Sequence, residues 1–307
     1  MAGKGGVGKT TVAAALALMA ADAGLRSLIV EVEGTNALAP LFGHRGPLTY
    51  HEVPLAAGNG PGEVRARTLT PDDALVEYLD DHGMRRVSRR LAASGTLDVV
   101  ATAVPGIKDI LVLGKVKQLE RAAAAGQPGA ADLIVVDAPA AGHAVQFLSS
   151  ASGLLDAVTA GPIRSQATDV VALLGDPTRC QVVLVTLAEE TPVNEVAETA
   201  FHLEDRAGVQ LAPVVVNALL PPVELADPGT IDGLRPADAA VLAEAADFRR
   251  RRQALQAHQL ERLAERLPLP RLRLPFLFEG QIGRGELGIL AAALADEVRA
   301  LSPSLLP

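Results

Sequence analysis

The chain has 307 residues, of which 49% are hydrophobic, and it sets 28 Lys and Arg against 36 Asp and Glu for a net charge of −8. That balance excludes a nucleic-acid binder driven by a basic surface. One cysteine, Cys180, excludes an internal disulfide and any site built from several thiolates, whether for zinc or for a soft trivalent ion such as arsenite. The apolar fraction suffices for a large core, and no apolar run reaches the ~18 residues of a membrane span. The expected location is the cytoplasm.

Gly3 to Thr10 reads G-x-x-x-x-G-K-T, a phosphate-binding P-loop. Gly3, Gly5, Gly6 and Gly8, with Val7 between them, let backbone N–H groups curl around phosphates. Lys9 supplies a point charge, and the Thr10 hydroxyl is placed to reach Mg²⁺. Helix formers run from Thr11 to Ala23, so a helix N-terminus faces the same phosphates.

Lys4, just after the first glycine, marks a deviant P-loop. GKGGVGKTT resembles the ATPases that include the nitrogenase iron protein, the division-site and plasmid-partition ATPases, and the arsenite-pump and tail-anchored-protein-targeting ATPases. The resemblance implies that Lys4 reaches the nucleotide of a partner subunit, so that a homodimer, or a heterodimer with a paralogue, closes around ATP.

A P-loop normally follows a buried strand, but only Met1 and Ala2 precede this one. Such a strand is central in a parallel sheet and rich in Val, Ile and Leu. Burying four such side chains contributes about 6–12 kcal/mol. The expectation is a start codon placed too late, with four to six apolar residues encoded upstream and a chain that folds poorly from Met1.

Strand and helix alternate thereafter. Arg26 to Val32 reads as a parallel strand ending in the acids Glu31 and Glu33. Aligned with the targeting ATPases on Leu38 and Phe42, Glu33 falls where an aspartate orients the attacking water; the glutamate is one methylene longer, and a structural carboxylate is the other reading. Short strands fit Leu48–Val53 and Val64–Leu69. Thr70-Pro71-Asp72-Asp73 starts a helix, with a cap residue, proline in the first turn and acids beside it. Arg85, Arg86, Arg89 and Arg90 follow, as a solvated face or a phosphate- or partner-binding patch. Ala103 to Glu120 resembles a family segment in a helical insertion at about 71–125. The methionine-rich surface that cradles a membrane helix in the targeting ATPases is not evident, since the chain has three methionines.

Asp132 to Asp137 reads as a buried strand whose last acid, Asp137, holds a water on Mg²⁺ or bonds Thr10. The following DAPAAGHAVQFL resembles the family loop that approaches the γ-phosphate, with Gly142 and His143 in register and alanines in place of threonines. His143 either couples that loop to its neighbour or is an ordinary surface residue. Gln181 to Leu187 and Ala212 to Leu219 are further strands, and a helix runs from Glu189 to Ala207. Asn217 matches the family position whose amide reads adenine. The family's zinc-binding C-x-x-C is absent. Pro236 to Leu267 reads as a long helix carrying the basic run Arg249 to Arg252, taken as solvated. Arg271 to Leu274 is the last strand. Pro275 and Phe276 open an element that resembles the family's adenine wrap, and a helix closes the chain from Glu286 to Leu301.

The fold expected is α/β, a doubly wound, mostly parallel sheet of the P-loop NTPase type, as a single domain over residues 1–307. The resemblance implies an ATPase that uses ATP-driven dimer closure to act on a protein client or membrane-transport partner. The alternative is a nucleotide-binding regulatory subunit with little hydrolysis. No zinc and no nucleic acid are expected.

Overall fold

The computed structural model describes residues 1–32, 34, 36–81, 83–86, 106–223 and 235–301. Glu33, Arg89, Arg90 and the start of the segment expected from Ala103 lie outside the described residues.

Nine α-helices and seven strands alternate along these residues: α1 (Lys9–Asp22), β1 (Arg26–Val32), α2 (Leu38–Leu41), β2 (Val53–Ala57), β3 (Glu63–Leu69), α3 (Pro71–Asp81), α4 (Ile107–Ala124), β4 (Leu133–Asp137), α5 (Ala141–Ala157), α6 (Pro162–Leu174), β5 (Val185–Leu187), α7 (Glu190–His202), β6 (Val214–Leu219), α8 (Pro236–Arg266), β7 (Arg271–Pro275) and α9 (Arg284–Ala300). A π-helical turn, Leu203–Ala207, extends α7. The ordered strands form two sets, β2-β3-β1-β4 and β5-β6-β7, parallel throughout except for the β2–β3 pair. This is the doubly wound α/β architecture the alternation predicts. The strand expected from Leu48 begins only at Val53, and β5 is shorter than the expected Gln181–Leu187.

Two core layers sandwich the strands. Leu28 and Val30 face the layer formed by α4 to α7, while Ile29 faces the layer of α1 and α9, as the two-residue period of a strand requires. The alanines of α1 let it lie close to the sheet: Ala13, Ala14, Ala15, Ala17 and Ala21 are all buried. Thr70 caps α3 as expected, accepting the Asp73 N–H at 3.2 Å.

Met1 and Ala2 stitch the two strand sets together. The Met1 ammonium donates to the Val136 carbonyl at 2.7 Å, and the Met1 carbonyl accepts from Ala138 at 3.3 Å. On the other side Ala2 donates to Val183 at 2.9 Å and accepts from Val185 at 2.8 Å. The N-terminal side of this stub opens into a slot of about 490 Å³ between β4 and residues 180–183. Leu113, Val116, Leu133, Phe147, Leu173 and Val183 are among its lining residues.

Candidate functional site

The C-terminal ends of β1, β4, β5 and β6 converge with the stub on one rim of the sheet. In open α/β sheets that rim is where ligands bind. The P-loop leaves the sheet at Ala2 and turns at once. Gly3 has φ +153°, and a Cβ there would lie 2.2 Å from the Val185 carbonyl oxygen. Its own carbonyl accepts the Ala141 N–H at 2.9 Å, which ties the P-loop to the start of α5. Gly8, at φ +89°, passes so close to Asn217 that a Cβ would sit 2.4 Å from the amide nitrogen. Gly5 and Gly6 face open space.

Gly8 is also the N-cap of α1 and provides no capping side chain. The first-turn N–H groups, including those of Lys9, Thr10 and Thr11, therefore point out of the helix as an anion site without a side-chain competitor. Lys9 Nζ lies 3.3 Å from the Lys4 carbonyl, folded over its own loop. Lys4 Nζ points away and pairs with Glu195 Oε1 of α7 at 2.6 Å.

Thr10 Oγ1 donates to Asp137 Oδ2 at 2.6 Å, joining the loop to the end of β4. Asp137 is 6% exposed, and its second oxygen, Oδ1, is buried without a hydrogen-bond partner. Glu31, fully buried, is the register partner of Asp137 in β1 and accepts from Thr68 at 3.0 Å. Burial pushes the Asp137 carboxyl above its usual range and Glu31 adds to that; the Thr10 bond, the Met1 ammonium and Lys9 oppose it. An orphaned buried carboxylate oxygen next to a threonine hydroxyl, both hard donors, fits Mg²⁺, a cation that takes one or two protein oxygens and keeps its remaining ligands as water and phosphate. Among the described residues no cluster of three His, Cys, Asp or Glu offers another metal site.

Gly142 and His143 sit exposed at the start of α5, beside the Gly3–Ala141 bond. At the opposite end of the rim, Asn217 turns its amide under the P-loop and donates to the Val7 carbonyl at 3.0 Å. The strand kinks immediately after it, at Ala218 with φ +56°. Pro275 registers with Leu219, and the Phe276 N–H reaches the Leu219 carbonyl at 2.7 Å. Phe276 and Phe278 stack edge to face at 4.9 Å, both exposed. A groove of about 410 Å³ adjoins them, lined by Leu220, Pro221, Gln253, Leu260 and Pro275.

Three contributors to this region were not legible in the sequence. Gln256 of α8 accepts the Leu220 N–H at 3.0 Å and donates to the Ala218 carbonyl at 3.3 Å. Arg249 and Gln253 donate to the Pro221 carbonyl at 2.9 and 3.1 Å. The basic run read as solvated therefore divides. Arg250 and Arg251 pair with Asp247 on the exposed face, whereas Arg249 turns inward and lies 5.3 Å from the Phe278 ring. Glu195 likewise carries no sequence signal, because only the packing of α7 brings it to Lys4.

Comparison with known proteins matches the profile of the anion-transporting ATPases over residues 1–159. The ATPase BagA of Mycobacterium tuberculosis is 33% identical over 96% of this chain and 91% of its own length. An arsenical pump-driving ATPase of Escherichia coli is 27% identical over 73% of this chain, but that match spans only 40% of the relative. The ATPase GET3B of Arabidopsis thaliana is 24% identical over 72% of this chain and 64% of its own length. With a P-loop at the head of a doubly wound sheet and an alignment running almost end to end, the chain belongs to the anion-transporting ATPase family.

Proposed function

We propose that the chain binds Mg·ATP at the rim described above and hydrolyses it within a dimer, acting in the cytoplasm on a protein client or membrane-transport partner. The observation that carries this reading is the Thr10–Asp137 pair, with its orphaned buried oxygen, at the foot of an uncapped helix N-terminus. In this reading the N–H groups from Gly5 to Thr11 and the Lys9 ammonium hold the phosphates. Thr10 and Asp137 hold Mg²⁺, Asp137 through water, and the bound metal supplies charge neutralisation on the transferred phosphate. Gly142 gives the neighbouring loop close approach. Asn217, Pro275 and Phe276 meet the base, and Lys4 leaves Glu195 to reach the nucleotide of the partner. Glu33 orients water. Helices α3 and α4 belong to the helical insertion.

A second reading, a nucleotide-binding regulatory subunit paired with a catalytic paralogue, is favoured by glutamate at position 33 and by alanines in place of threonines at Ala138 and Ala141. Single-turnover hydrolysis with Mg²⁺, by the chain alone and mixed with a paralogue, separates the two. Under the first reading the chain alone turns over, Glu33→Gln slows it by a factor on the order of 10²–10⁴ with ATP affinity kept, and Lys4→Ala loses ATP-dependent dimerisation. Turnover only in the mixture selects the second.

A further inference from the structure

Taking the rim as a Mg·ATP site, we propose that Glu31 is its second carboxylate, a positioning residue that shares with Asp137 the water shell of the bound Mg²⁺. Strand register places it there. Glu31 is the register partner of Asp137 in β4 and of Thr68 in β3. Partners on neighbouring parallel strands lie about 4.8 Å apart. All three side chains point to the α1 side of the sheet, since Ile29, Ala66 and Val135, each two residues earlier on its strand, belong to that layer. Thr68 Oγ1 donates to Glu31 Oε2 at 3.0 Å, and Thr10 Oγ1 donates to Asp137 Oδ2 at 2.6 Å. The result is a row across the sheet in which two acids stand side by side, each held from its outer flank by a threonine. Within that row Asp137 Oδ1 is buried without a hydrogen-bond partner.

Such a row serves a ligand better than it serves the fold. Glu31 has no exposed surface, and Asp137 is 6% exposed. Two neighbouring carboxylates withdrawn from water disfavour each other's charge, and burial adds to the cost. A neutral side chain at position 31 would accept the Thr68 bond without that penalty. A divalent cation beside the orphaned oxygen offsets both charges. Mg²⁺ takes few protein oxygens directly and keeps several waters, and those waters need acceptors. Glu31 stands one strand further from Thr10 than Asp137 does. Its side chain is one methylene longer, so its reach suits a water on the ion and not the ion itself. Outer acceptors of this kind carry roughly 10–100-fold of metal affinity.

The test titrates Mg²⁺ into the full chain with a fluorescent ADP analogue, so that no turnover intervenes, and uses Asp137→Asn as the reference for loss of the site. In Glu31→Gln the Mg²⁺ concentration at half-effect is expected to rise about tenfold, with nucleotide affinity in EDTA equal to the parent's. The ligand-free thermal midpoint should match or exceed the parent's, because glutamine still accepts from Thr68 and one of two buried charges is gone. An unchanged Mg²⁺ dependence overturns the proposal; joined to a lowered midpoint, it marks Glu31 as a structural acid. An equal loss of affinity in EDTA overturns it too, because the whole site would then be distorted. Should Glu31→Gln not melt cooperatively, Glu31→Asp decides. It keeps the charge on a shorter arm and should raise the half-effect concentration about threefold or more; no rise overturns the proposal. A parent chain whose affinity ignores Mg²⁺ removes the Mg·ATP reading itself, whereas a responsive parent beside an indifferent Glu31→Gln removes the role of Glu31 alone.

Discussion

β1 and β4 run side by side in one sheet, and both end beside the phosphate loop, yet they are buried very differently. From Ser27 to Glu31 every residue of β1 is buried; in β4 only Val135 and Asp137 are. The sequences, RSLIVEV and LIVVD, carry the same apolar signal. What differs is the flank: β1 lies between β3 and β4, whereas β4 has a strand on one side and, for most of its length, the slot on the other. At its last residue the contrast ends. There Asp137 is gripped by Thr10, and the chain around Met1 and Ala2 is paired on both sides. Burial at the ligand rim therefore comes from Met1, Ala2 and Thr10 closing on the end of β4.

The largest expected effect lies at the rim. Lys9→Ala removes a charge held against phosphates and should raise the dissociation constant for ATP by about 100-fold or more, with the ligand-free thermal midpoint unchanged. Calorimetric titration measures it. Undiminished affinity would mean that the tight end of the sheet is not the ligand end.

Next in size is a direct contrast between two glycines of the phosphate loop. Gly3→Ala drives a methyl into the Val185 carbonyl and should cost about 2–3 kcal/mol. Gly5→Ala adds a methyl that meets nothing within 4 Å and should stay within about 1 kcal/mol of the parent. Denaturant unfolding of both variants checks the contrast, and equal costs would break it.

The smallest effect concerns Asp137 and has a definite sign with pH. Burial raises its folded-state pKa, so folding favours the protonated acid. The stability this gives is fully present below the ordinary aspartate value of about 3.9 and is lost as pH rises through the raised value. Asp137→Asn keeps a neutral acceptor for Thr10. Without nucleotide it should match the parent near pH 3.5 and melt on the order of 2 °C higher near pH 7. Its stabilisation by Mg·ATP should disappear. A parent chain that gains on the variant with rising pH would mean that Asp137 folds as a stabilised anion.

Much of this was legible beforehand because it is local. The Gly3–Thr10 spacing, the cap at Thr70 and the apolar runs of β1 and β4 are set by neighbours in sequence. What could not be read depends on distant segments meeting. The Asn217 amide donates to Val7, 210 residues away, a contact that no local pattern announces. Arg249 belongs to a run of four like charges, and only the path of the chain after Leu219 turns it inward to Pro221. The full burial of Glu31 follows from its place between β3 and β4, which no local pattern encodes.

The Lys4–Glu195 contact has a consequence for switching thresholds. Both side chains are more than a third exposed, and ion pairs of that kind contribute about 0–1 kcal/mol. Breaking one shifts an equilibrium by no more than roughly fivefold. Any group that competes for the Lys4 ammonium therefore meets a shallow trap. Raising ionic strength to about 1 M, where screening acts over about 3 Å, should remove most of it. The contact sets a resting position for Lys4 while leaving the decision to move it almost entirely to whatever binds at the rim.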